Sequence, residues 1–208
     1  MPASERERLI AAMDRYLDAL ASRDMRHLPI TPSLRCTENT RELPIGAGLW
    51  RTVRGIGPRG GAARAGHCFV DIASGNVEYW GAIDEMGADA IYGVRLRIEG
   101  RMDPAQLDRR EAHRALGVAE QMTSGHYSYI EALRARRFPI VDEERGLVVC
   151  HVLFDHPGDI HRSDGELPFR WPNSMLAYEV FKVRAGVLEE VWAIGTALPY
   201  GIGSGWQT

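Results

Sequence analysis

Between residues 90 and 99, Tyr92, Val94, Leu96 and Ile98 alternate with Gly93, Arg95, Arg97 and Glu99. A period of two places the apolar set on one face of a β-strand and the charged set on the other, which meets solvent or a partner subunit. Two strand-like runs precede it, at residues 67–72 and 77–83. Ser74-Gly75-Asn76 and Glu85-Met86-Gly87, residue types that favour tight reversals, join the three. The segment therefore predicts an antiparallel meander with one apolar face.

That face needs a cover. Leu9, Met13, Tyr16, Leu17 and Leu20 recur at helical spacing behind Ser4 and Glu7, a capping-box pair, and predict an amphipathic helix over residues 4–21. Residues 23–33 predict a turn into a strand beginning near Leu34 that carries Cys36, Thr37, Glu38 and Asn39. A Gly-rich stretch, 46–66, follows. Its Gly55-Ile56-Gly57-Pro58-Arg59-Gly60 matches GxGxxG in form, but no buried parallel strand precedes it and Pro58 interrupts it, so it reads as a flexible loop.

Further on, residues 103–122 and 129–137 predict helices, and residues 146–154, 175–184 and 187–196 predict strands. Ala185-Gly186 turns between the last two, and a long loop spans 155–173. The order of helix, strands, helices and strands predicts an α+β fold, a curved antiparallel sheet around a pocket, rather than alternating parallel units. A chain of 208 residues, 45% hydrophobic and 25% charged, can build this as one domain with one sizeable core.

Composition excludes several classes of function. The net charge of −3 comes with no basic block, so no nucleic-acid partner is expected. Lys182 is the sole lysine, which confines imine chemistry to it or to the terminal amine. Cys36, Cys68 and Cys150 are too far apart for a CxxC motif and odd in number, so they predict small core residues. The opening residues lack a signal-peptide pattern and no apolar run approaches a membrane span, predicting a cytoplasmic protein without a membrane partner. His151, His156 and His161 recur at fives, a spacing that gathers ligands on no single face, so no metal is expected. P-loop, GxSxG and HExxH patterns are absent, and no cofactor is expected.

The sharpest chemical signal is Glu179, which shares a strand face with Met175, Ala177, Phe181 and Val183. A carboxylate among apolar neighbours is desolvated, its pKa rises, and it suits general acid–base work. If Tyr178 and Val180 mark the inner face instead, Glu179 is solvated. His151 shares a face with Val149 and Leu153 and reads either as a proton carrier or as a hydrogen-bonded core histidine. Glu38 either points into a cavity or caps the next loop. Ser124-Gly125-His126-Tyr127-Ser128-Tyr129, a flexible glycine with an imidazole, two hydroxyls and two phenols, reads either as a lid over an aromatic ligand, with His126 and Tyr127 as its candidates, or as a plain helix start. Tyr79, Tyr92, Trp80 and Trp192 are candidates for an aromatic pocket or for plain core.

Several stretches together resemble a known family: Thr37-Glu38-Asn39 with Leu43-Pro44-Ile45-Gly46-Ala47-Gly48-Leu49-Trp50, then Arg137-Phe138-Pro139-Ile140-Val141-Asp142-Glu143-Glu144-Arg145-Gly146, then Pro199-Tyr200-Gly201 with Ser204-Gly205-Trp206. They are similar to a SnoaL-like subgroup of the nuclear-transport-factor-2-like superfamily. The resemblance implies a cone of curved antiparallel sheet closed by N-terminal helices around a cavity. Leu34-Arg35 leading to Glu38 also resembles the scytalone dehydratase strand that presents a pocket tyrosine, with a carboxylate standing in that place.

Within the subgroup the chain is most similar to bacterial diarylpropane γ-formaldehyde lyases of lignin-dimer catabolism. This implies a cofactor-independent lyase that turns a 1,2-diarylpropane-1,3-diol into a stilbene and formaldehyde through a quinone methide. On that reading Glu179 or His151 carries the proton and Glu38 is the competing base. Arg97 stabilises a phenolate, and Tyr127, Tyr79 and Trp192, with His126, bind the aryl rings. A dehydratase or isomerase of a hydroxylated aromatic, and a non-catalytic ligand-binding domain, remain the alternatives. The charged and aromatic strand faces also predict a homo-oligomer.

Overall fold

The computed structural model describes residues 3–57, 66–98, 129–158 and 171–205. They belong to two compact units, Met1–Met102 and Asp103–Thr208. The architecture is mixed α+β with antiparallel sheets. Among the described residues no helix is long and apolar enough to cross a membrane.

In the first unit, helix α1 (Glu5–Ser22) starts at the expected capping box. The Ser4 hydroxyl accepts from the Glu7 N–H at 3.3 Å, and the Glu7 carboxylate accepts from the Ser4 N–H at 2.6 Å. The helix stops at Arg23, whose left-handed backbone (φ 55°) ends the helical hydrogen-bond ladder. A hairpin of β1 (Thr37–Glu38) and β2 (Arg41–Glu42), a one-turn helix α2 (Leu49–Thr52) and strands β3 (Val53–Ile56), β4 (Gly66–Asp71), β5 (Asn76–Glu85) and β6 (Ala88–Arg97) follow.

β5 is the central strand of this unit. β6 pairs along its whole length on one side, while β4 and β3 pair with its first and last residues on the other. Leu9, Met13 and Leu17 of α1 bury against Val70, Val77 and Tyr79. Tyr92, Val94 and Leu96 of β6 pack on the same cluster, as their period-two pattern demands. Each fully buried aliphatic side chain here contributes about 1.5–3 kcal/mol through removal from water.

Two expectations change in this unit. The strand expected from Leu34 shrinks to two residues, because Asn39 and Thr40 both take positive φ (46° and 72°) and reverse the chain at once. The Gly-rich loop is partly regular structure: Gly55 and Ile56 lie in β3, opposite Asp84 and Ile83. Residues 58–65, the rest of that stretch, lie outside the described residues.

The second unit is an antiparallel meander in the order β10-β9-β8-β7. Its strands are β7 (Ala132–Asp142), β8 (Leu147–His156), β9 (Asn173–Arg184) and β10 (Val187–Pro199). The helix expected at residues 129–137 is replaced by the start of β7, so pairing with β8 overrides the helix propensity of Ala, Leu and Arg. The register shifts between Arg134 and Arg137, and Ala135 there takes φ 53°, which no helix accommodates. Asp155 and His156, expected in a loop, complete β8. The helix expected at 103–122 lies outside the described residues.

Candidate functional site

Period two sorts the second unit's sheet into two faces. Met175, Ala177, Glu179 and Phe181 of β9 share one face with their partners Phe154, Val152, Cys150 and Val148 of β8. Cys150, Val152 and Ala177 are buried there, with Leu133, Phe138, Phe154 and Phe181 packed around them. On this face opens a groove of about 350 Å³, lined by Tyr129, Phe154, His156, Met175, Glu179 and the β10 segment at Gly195 among others. That volume falls within the range of small-molecule sites, and the lining is apolar apart from a few polar groups.

Glu179 is half-buried in the groove, and burial pushes its carboxyl pKa up. Its cross-strand neighbours, Cys150 and Ala193, bring no positive charge to offset the loss of water. A carboxyl in this setting holds its proton to higher pH than a surface acid does.

His156 is 3% exposed. Burial lowers its imidazole pKa, against opposing contributions from a backbone hydrogen bond to Tyr129 and from the charge of Asp155. The Tyr129 ring stacks on it with centroids 5.3 Å apart and planes 14° apart. His156 faces Asn173 across the ladder, and Glu179 lies six residues further along β9, about 20 Å at ~3.3 Å per residue. The two groups therefore stand toward opposite ends of one elongated groove. Burial biases the imidazole toward its neutral form and the carboxyl toward its protonated form.

His151 does not join Glu179. Because Cys150 is the partner of Glu179, the next residue along β8 must point to the other face of the sheet. There His151 is 3% exposed and stacks on its partner Tyr178, with centroids 4.0 Å apart. The expected Glu179–His151 pair is thus split by the sheet itself.

Glu38 belongs to the first unit and caps a turn. Its Oε2 accepts from the Leu49 N–H at 2.9 Å. This contact needs Gly48, since a Cβ there would lie 2.2 Å from the same oxygen. The Tyr16 and Tyr92 hydroxyls lie 3.5 Å apart in this unit. Burial raises both phenol pKa values, and the Glu38 charge adds to the rise.

The remaining candidates fall elsewhere. Tyr79, 2% exposed, is core beneath α1. Arg97 is exposed on β6 in the first unit. Trp192 is 45% exposed and pairs with Val180, on the face away from Glu179. His126 and Tyr127 lie outside the described residues. Among the described residues expected to act, Glu179 alone lines the groove.

Sequence reasoning weighed His156 only as one of three histidines at fives and Tyr129 only as part of a candidate lid, and assigned neither to a shared pocket with Glu179. The usable signal was the continuing alternation Cys150, Val152, Phe154, His156, which puts the imidazole on the Glu179 face once β8 is allowed two more residues. It also missed a polar cluster at the end of the same sheet. Arg134 binds Asp155 with two nitrogens, the Nη2–Oδ1 contact being 2.8 Å, and Nη2 also donates to the Ile202 carbonyl at 3.1 Å. The Ser174 hydroxyl donates to Asp155 at 2.5 Å and accepts from the Gly201 N–H at 2.9 Å. The C-terminal stretch is thereby tied to β7, β8 and β9.

No curated protein and no solved structure matches the chain. Residues 2–195 match the model of a family described as a domain of unknown function, DUF8021, and the chain belongs to that family.

Proposed function

We propose that this DUF8021 member is a cofactor-independent acid–base enzyme that binds an elongated hydroxylated aromatic in the groove of its second unit. The observation that carries the reading is the Glu179 carboxyl, raised in pKa by burial within a mostly apolar groove. The resemblance to SnoaL-like proteins supports it, and with it the cone-shaped sheet of that superfamily. The reaction favoured is that of the diarylpropane lyases, in a cytoplasmic setting.

Glu179 suits that chemistry. Its carboxyl gives its proton to the departing benzylic hydroxyl while the para-phenol of the same ring loses its proton to water. Water and a quinone methide result. Glu179, now a carboxylate, removes the O–H proton of the terminal CH2OH. The C–C bond breaks, formaldehyde leaves, and the electron pair restores the aromatic phenolate, which water reprotonates. The products are a stilbene, water and formaldehyde, and the quinone methide is the electron sink. Tyr129 and Phe154 offer faces to the aryl rings.

The test is turnover of 1,2-diarylpropane-1,3-diols, with formaldehyde and stilbene measured together. Glu179→Gln should lower turnover at least about 100-fold, and a substrate methylated at the para-phenol should not react. Water loss with every carbon retained would identify a dehydratase instead. Unchanged turnover in Glu179→Gln would remove the groove from catalysis.

A further inference from the structure

Strand β10 lies at one edge of the second unit's sheet and, among the described residues, bonds only to β9. Within its 13 residues only Ile194 and Leu198 are even partly buried. Val187, Val191 and Trp192 are 64%, 43% and 45% exposed. From Val191 to the last residue there is no Asp, Glu, Lys, Arg or His. Glu189, Glu190 and a register shift guard the start of β10 and Pro199 its end, and between them residues 191–198 offer a row of backbone donors and acceptors with no charge to deter another strand.

Two other edges among the described strands are guarded. β7 carries Pro139, three arginines and two register shifts, and β6 carries Asp89, Arg95 and Arg97. Pro, charge and bulges are the usual protections against edge pairing. Pairing of β10 with β7 of a second copy would moreover be head-to-tail and open-ended, whereas pairing of β10 with itself closes after two copies.

We propose that β10 is the seat of a two-fold homodimer in which the β10 strands of two copies pair antiparallel. An axis near Gly195 sets the uncharged stretch 191–199 against itself. Glu190 then faces the partner's Tyr200, which keeps the acidic residues Glu189 and Glu190 away from those of the other copy. At ~3.3 Å per residue the uncharged stretch is about 30 Å long, and with side chains on both faces it buries on the order of 400 Å² per copy. That is about 800 Å² in total, below the size of stable interfaces and within the weak, transient class, so the dimer is expected to dissociate on dilution. Ala193, Ile194 and Gly195 also line the groove, so the partner sits at its rim.

Sedimentation velocity over a dilution series through the micromolar range tests this with the full chain. The wild type should shift reversibly between one and two chain masses. Trp192→Lys with Thr196→Lys, both at exposed positions, should sediment as monomer throughout while keeping the wild-type melting curve. Ala193→Cys with Ala197→Cys, which the two-fold sets opposite each other at exposed positions, should give an inter-chain disulfide under mild oxidation and Arg136→Cys, on the guarded edge, should not. A wild type that is monomeric at every concentration would overturn the proposal and leave β10 to a different partner. So would a dimer that persists in the double-lysine variant, which would place the interface elsewhere.

Discussion

Arg134→Met removes one side of the cluster that holds the C-terminal stretch, and its cost follows from what remains. The Asp155 carboxylate, 7% exposed, keeps Ser174 as its hydrogen-bond donor and loses both guanidinium contacts, while the Ile202 carbonyl loses its donor. Breaking a fully buried ion pair costs about 3–5 kcal/mol. Arg134 is 30% exposed, so water partly replaces it, and about 2–3 kcal/mol is expected. For a chain of this size that lowers the melting temperature by roughly 5–10 °C.

The loss depends on pH in a fixed direction. The Arg134 hydrogen bond, followed by that of Ser174, holds the Asp155 pKa below its ordinary value despite burial. A depressed folded pKa contributes stability above the unfolded value, about 3.9, which is lost as pH falls through the folded value. The gap between wild type and Arg134→Met should therefore be full at pH 7 and close below about pH 4. Denaturant unfolding of wild type, Arg134→Met, Asp155→Leu and the double variant measures it, and the double variant should be more stable than the sum of the single losses implies. A cost under about 0.5 kcal/mol at pH 7, or a cost that does not change with pH, would refute the reasoning.

Three further outcomes are expected. Because burial raises the Glu179 pKa, its ionisation works against folding. Wild type loses stability as pH rises from about 4.3 through the folded value, and Glu179→Gln should be the more stable protein at pH 7, with the two unfolding curves converging at low pH. Ser4→Ala should cost about 0.5–1 kcal/mol in denaturant unfolding, since the hydroxyl that accepts from the Glu7 N–H is lost while the Glu7 carboxylate keeps the residue-4 N–H. Gly48→Ala should cost about 1–3 kcal/mol, because a Cβ at φ 55° meets the Glu38 carboxylate and drives it off the Leu49 N–H.

Local patterns settled much of this protein before any long-range contact was considered. The capping box placed the start of α1, the alternation through Tyr92, Val94 and Leu96 placed β6 and its apolar face, and Ala185-Gly186 placed the last hairpin. Each depends on residues a few positions apart, so each was legible in the chain. Which residues share a face with Glu179 was legible for the same reason, while the chain leaves two readings open for whether that face lines a groove.

Tertiary structure decided the rest. Residues 132–137 became strand because β8 offered a ladder, a gain their own helix propensity cannot foresee. Glu38 and Glu179 went to separate compact units, and His151 to the far face of the Glu179 sheet, because strand register assigns faces across neighbours and not along one strand. His156 came to share the groove with Glu179 only through the extra length of β8 and the antiparallel pairing that sets it opposite Asn173. The sequence by itself determined which side chains lie on one face of each strand; only pairing between distant strands determined which faces meet, because that choice rests on contacts far apart in the chain.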